Sequence, residues 1–221
     1  MKHFIFILAL FLTTSNYSYA QTSSPDDEDS KVFLKQSNPK LTPEFQRIAK
    51  KMYETEDYKA AKIDDLNKVY QLRYNIYKDQ MEYTSAGKLY ILKKELGRMV
   101  NFTNLNTKYQ VFEMEGKPRF FIVQNDGQHS LLTKSIVQFQ EARQAEDSFQ
   151  QSTSADFKRG KDEIYIAFNN TSPVKVPSSK KKFFALFGDK ESAIKTYMKK
   201  NKLSRKDKED LIKVLDHYSS L

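Results

Sequence analysis

Val69-Tyr70-Gln71-Leu72-Arg73-Tyr74-Asn75-Ile76-Tyr77-Lys78-Asp79-Gln80-Met81-Glu82-Tyr83 is the densest aromatic stretch of the chain, and it alternates. Tyr70, Leu72, Tyr74 and Ile76 share one parity. Gln71, Arg73, Asn75, Tyr77 and Asp79 share the other. A period of two in β-favouring residues reads as a half-buried strand. After Asp79 the parity slips, because Met81 and Tyr83 carry the bulk and Glu82 is polar. A slip of one residue would turn the buried face outward, so a bulge or tight turn is expected over 78–80.

The same reading extends on both sides. Further strands are expected over 58–63, 69–77, 81–84, 88–92, 108–114, 119–124, 131–139 and 163–168. Ser85-Ala86-Gly87, Glu115-Gly116-Lys117-Pro118 and Asn125-Asp126-Gly127 supply turn chemistry between them. Short spacings with such turns indicate antiparallel pairing rather than βαβ units. Phe120-Phe121-Ile122-Val123 is apolar on both parities, so that strand is expected to be covered on both faces. Residues 141–161 are polar and read as a long excursion.

Helical signals flank this β region. Thr42-Pro43 is a cap followed by a first-turn proline, and Phe45, Ile48, Ala49, Met52 and Tyr53 follow at helical spacing. After Pro173 and Pro177 the period changes again. Ser179, Asp189 and Ser204 are expected to cap three helices, the last two joined through Asn201-Lys202-Leu203 as an antiparallel hairpin. The expected fold is α+β: a twisted antiparallel β meander with an N-terminal helix and a C-terminal helical hairpin.

The first residues carry a different message. Met1-Lys2-His3 is followed by an apolar run from Phe4 to Leu12 and then by Ser18-Tyr19-Ala20. This is the layout of a secretory signal peptide over 1–20. Residues 21–41, with the run Asp26-Asp27-Glu28-Asp29, read as a flexible acidic leader. One domain is expected over 42–221, divided into a helix (42–56), a sheet (57–172) and a basic helical end (173–221). No cysteine occurs, so no disulfide supports the fold and its core must suffice. No later apolar run is long enough for a membrane helix.

The formal net charge is +9, and the excess is concentrated. From Val174 to Leu221 there are 13 Lys/Arg against 6 Asp/Glu. Such an end suits an acidic envelope protein or an anionic envelope surface. Lys180, Lys181 and Lys182, followed by Phe183-Phe184, are the contact candidates there. Export argues against nucleic acid.

Two blocks resemble a known group. One is Leu72-Arg73-Tyr74-Asn75-Ile76-Tyr77-Lys78-Asp79-Gln80-Met81-Glu82-Tyr83. The other is Lys199-Lys200-Asn201-Lys202-Leu203-Ser204-Arg205-Lys206-Asp207-Lys208-Glu209-Asp210-Leu211-Ile212, with Tyr218 near the end. Together they are similar to secreted or periplasmic proteins from Bacteroidota (flavobacteria and relatives), a group with no assigned reaction. The resemblance implies a place in a Gram-negative envelope and a β-then-α domain, and it transfers no catalytic residue.

Chemical motifs are sparse. His129 and His217 stand far apart, there is no Gly-x-Ser-x-Gly elbow, and neither metal-ligand spacing nor a phosphate loop is found. No cofactor and no metal is expected. Two readings remain. A binding face could be formed by Arg73, Asn75 and Tyr77, opposite the core parity. Alternatively, Asp79 and Glu82 could serve a hydrolase acting on envelope glycan or peptide, which needs two carboxylates ~5–9 Å apart. A non-enzymatic envelope component is the leading expectation.

Overall fold

The computed structural model describes residues 27–37, 41–64, 66–144 and 151–221. The expected signal peptide, with the start of the leader, lies outside the described residues. The chain enters through α1 (Asp27–Val32) and β1 (Phe33–Gln36). Thr42 then accepts a hydrogen bond from the Phe45 amide at 3.2 Å, and Pro43 opens α2 (Pro43–Ala49), which tightens into a 3-10 turn over Lys50–Met52.

Two antiparallel runs follow. The first is β2 (Lys59–Ile63), β3 (Val69–Asn75), β4 (Gln80–Ser85) and β5 (Lys88–Leu92). The second is β6 (Met99–Phe102), β7 (Thr107–Met114), β8 (Lys117–Val123) and β9 (Ser130–Lys134). Within each run neighbours pair in sequence order, and β6 returns to the free edge of β2 to join the two. Ala86 and Gly87 have φ of 48° and 70°, and Glu115 and Gly116 have 53° and 72°. Two successive positive φ values make type I′ hairpin turns, whose twist matches that of the strands.

β10 (Val137–Gln140) and β11 (Asp156–Arg159) form a separate hairpin. The single strand expected over 131–139 is therefore two, broken at Ser135-Ile136. β12 (Glu163–Ala167) then pairs with β9, and β13 (Val174–Lys175) with β12. Over the described residues the main sheet runs β1-β5-β4-β3-β2-β6-β7-β8-β9-β12-β13. Three helices close the chain: α3 (Lys180–Ala185), α4 (Glu191–Lys200) and α5 (Lys208–Ser219). The fold is α+β, mostly antiparallel sheet with a few helices.

The alternation of the opening stretch is visible in its burial. Tyr70, Leu72, Tyr74 and Ile76 are all at most 6% exposed. The parity slip is resolved by a turn over 76–79, which pairs Asn75 with Gln80 and places Asp79 at φ 54°. Phe120 joins the cluster with Tyr70 and Tyr74, while Phe121 joins Phe112, Leu132 and Tyr165 on the opposite face. Leu131 and Ile166 pack under α3, α4 and α5.

The flexible leader expected over 21–41 is corrected where the chain is described. Val32 and Phe33 are buried, and β1 pairs with β5 along its length. The Asp29 side chain is fully buried, accepting from the Tyr70 hydroxyl at 2.8 Å and from Lys68 at 2.9 Å. A four-residue strand whose partner lies more than fifty residues away leaves no local periodicity to read.

Candidate functional site

The basic end is built from three short elements. Ser179 caps α3 as expected, accepting from the Lys182 amide. Phe183 and Phe184 are buried, which turns the lysines of α3 outward. On α4, Ile194 and Met198 face the core, so Lys195 and Lys199 lie on the open side, one turn apart. The connection to α5 carries Lys202, at φ 55°, with Leu203, Ser204, Arg205 and Lys206. These pieces enclose a groove of about 730 Å³.

The groove has an apolar floor of Phe184, Met198 and Leu203. Its polar rim holds six cations, Lys180, Lys195, Lys199, Lys202, Arg205 and Lys206, and no carboxylate. Some of this charge is already engaged. Lys195 pairs with Glu191 at 3.8 Å and lies over the Phe184 ring, and Arg205 donates to the Pro177 and Ser178 carbonyls. Lys180, Lys199, Lys202 and Lys206 have no carboxylate partner among the described residues. Ammonium groups over an apolar floor, with no acid between them, can hold an anion.

Of the expected contact residues, Lys180 lines this groove, while Lys181 and Lys182 are exposed outside it. A helix turns about 100° per residue, so three consecutive lysines cannot share one face. Reading by adjacency missed Lys195, Lys199, Lys202, Arg205 and Lys206. The i, i+4 spacing of Lys195 and Lys199 was the signal that could have found part of the set.

The Arg73, Asn75 and Tyr77 ladder is not an exposed face. Asn75 is fully buried, donating to Glu82 at 2.9 Å and accepting from the Lys78 amide at 3.0 Å. Arg73 is bonded to Glu82 at 2.7 Å, and its guanidinium lies over the Tyr53 ring at 3.7 Å and the Tyr58 ring at 4.6 Å. Burial, with the Glu82 charge, pushes the Tyr53 hydroxyl up to about 12. The segment after α2 therefore covers the parity that periodicity left open. Only Tyr77 remains exposed, in the turn beyond β3, with its ring 4.9 Å from that of Phe157.

Asp79 and Glu82 do not form a facing pair. Glu82 is bound by Arg73 and Asn75, whereas Asp79 is bound by the Tyr74 hydroxyl, so their partners hang from opposite faces of β3. The Asp79 carboxylate also takes Lys94 at 2.6 Å, Lys134 at 3.0 Å and the Phe120 amide at 3.3 Å, with Arg119 at 3.7 Å. Burial alone would raise its pKa; Lys134, Lys94 and the hydrogen bonds from Lys94 and Tyr74 outweigh this and hold it below 3.8. Burial lowers the Lys134 ammonium in turn. This carboxylate is a saturated anchor for the turn. Tyr77, Asp79, Arg119 and Lys134 do meet at one open hollow of about 270 Å³.

Among the described residues no group of three or more His, Asp or Glu is placed to hold a metal ion, and no helix is long and apolar enough to cross a membrane. No protein-family model, no curated protein and no solved structure matches the chain.

Proposed function

We propose that the protein is an exported, non-enzymatic binding or structural component of a cell envelope, held to an anionic envelope surface by its basic helical end. The reading takes the twisted sheet and its N-terminal helix as a platform and the C-terminal helices as the contact element. The observation that carries it is the groove rimmed by six cations with no carboxylate. The leader-like pattern of residues 1–20 and the resemblance of residues 72–83 and 199–212 to envelope proteins support the location.

Co-sedimentation with lipid vesicles tests the contact. A lysine near an anionic membrane contributes ~1 kcal/mol, and the contribution fades within a Debye length. The protein is expected to bind vesicles containing phosphatidylglycerol, to ignore pure phosphatidylcholine, and to be released by salt. Reversing Lys180, Lys199 and Lys202 to Glu should weaken binding by about a hundredfold or more. Lys181→Glu, outside the groove, should change it little. Equal binding to neutral vesicles, or a triple variant that binds like wild type, would overturn the reading.

A further inference from the structure

A second cavity lies on the face of the sheet that carries Tyr74 and Tyr109. It has a volume of about 350 Å³ and sits between the segment after α2, the residue before β12 and the first turn of α5. Its floor is a cross-strand row: Tyr109 stands opposite Ile122, and Ile122 opposite Thr133. Phe102 and Gln124 extend the floor, and the Tyr74 ring packs 4.9 Å from that of Tyr109. Two carboxylates, Glu54 and Asp162, line the wall.

Both carboxylates reach the same nitrogen of Arg159, Glu54 at 3.0 Å and Asp162 at 3.6 Å. They therefore stand side by side on one flank of the cavity. Arg159 and the lining Lys208 balance their charge, so the cavity is close to neutral. Several polar groups there keep hydrogen-bonding capacity. Glu54 is held by Arg159, which donates to its Oε1 at 3.1 Å, and its Oε2 is shielded from solvent, whereas the Asp162 carboxylate, partly exposed, stays open to the cavity. Gln124 donates to Thr133 Oγ1 at 2.9 Å, which leaves its carbonyl and the Thr133 proton to find partners elsewhere. The Tyr109 hydroxyl has no hydrogen-bond partner among the described residues, although the residue is only 2% exposed. Its oxygen is not among the solvent-shielded atoms left without a partner, so what little of the residue is exposed opens on the cavity, where the hydroxyl can meet water or a ligand.

We propose that this cavity binds a neutral, hydroxyl-rich ligand, a single sugar unit of a glycan. The aromatic floor suits the apolar face of a pyranose ring, and the Asp162 carboxylate, the Gln124 carbonyl and the Tyr109 hydroxyl suit its rim of hydroxyls. An organic anion would meet two carboxylates, and an organic cation would compete with Arg159 for both. Burial, with the negative charges of Glu54 and Asp162, raises the Tyr109 hydroxyl, which keeps it protonated as a donor. The site is separate from the basic groove and does not depend on its role.

Saturation-transfer NMR on the purified protein with glucose, galactose, mannose and N-acetylglucosamine, each at millimolar concentration, tests this. At least one sugar is expected to show transfer. Tyr109→Phe, which removes only the hydroxyl, should weaken it tenfold or more while the protein keeps the circular-dichroism spectrum of wild type. Absence of transfer from all four sugars would overturn the proposal, as would unchanged affinity in Tyr109→Phe. Binding of acetate or methylammonium in place of sugars would do the same. Should Tyr109→Phe fail to fold, Asp162→Asn carries the test: loss of sugar binding supports the site, and full affinity overturns it.

Discussion

Asp79 sits at φ 54° with its carboxylate out of water and its partners drawn from four other parts of the chain. Left-handed backbone is tolerated by Asp, so the turn can form, and the surrounding cations offset the desolvation of the charge. Asp79→Ala would strand Lys94 and Lys134, and a loss of about 3–5 kcal/mol in denaturant unfolding is expected. Because the folded pKa lies below 3.8, the stabilisation is complete above that value and is lost as pH falls through the folded pKa. Acid unfolding of wild type, compared with Asp79→Asn, should show that component only in wild type. His129 gives a second pH dependence. Its Nδ1 accepts from the Asn169 amide at 3.2 Å, its ring meets Phe168 edge-on and Tyr218 at a tilt, and burial lowers its pKa below 6.5. The neutral ring is the folded form, so its contribution is full above pH 6.5 and fades as pH falls through the folded pKa. Melting between about pH 7.5 and about pH 5 should show a drop that is absent in His129→Gln. The alternation made Tyr70, Leu72, Tyr74 and Ile76 legible as core. The anchoring of Asp79 was not legible, since Lys94, Phe120 and Lys134 approach it only in space.

Helix ends show where local signals compete. Ser204 and Asp207 are both acceptable caps, and the sequence pattern favours the first. In the structure Asp207 caps α5, accepting from the Asp210 amide at 3.0 Å, while the Ser204 amide donates to Asp210 at 2.9 Å. The connection is thereby longer than expected, and that length is what places Leu203, Ser204, Arg205 and Lys206 along the groove. Asp207→Ala should cost about 1 kcal/mol in thermal melting, and Ser204→Ala clearly less. Asp189 likewise falls inside a 3-10 turn, and α4 starts at Glu191 after Lys190 with no side-chain cap. The candidate face on β3 was lost for a comparable reason. Periodicity identifies two faces of a strand, but which one a neighbouring segment covers is decided by Tyr53 and Tyr58 arriving from the chain before β2.

The sheet as a whole is finished at one end by β1, the segment that composition marks as a leader. Phe33 packs 5.2 Å from the Tyr70 ring and 5.1 Å from the Tyr83 ring, while its strand covers the edge of β5. Phe33→Ala should cost about 3–5 kcal/mol in chemical unfolding. Removing residues through Gln36 should in addition expose the β5 edge, giving self-association detectable by light scattering. Alternation, hairpin turns, the Thr42 and Ser179 caps and the basic excess after Val174 are all readable along the chain. Each arises from residues a few positions apart, where backbone geometry imposes its own period. The return of β6 to β2, the burial of Asp29, the grouping of Lys180 with Lys199 and Lys202, and the meeting of Glu54, Tyr109 and Asp162 depend on distant segments. Those contacts form only once packing has chosen one face of each element over the other, and no local period encodes that choice.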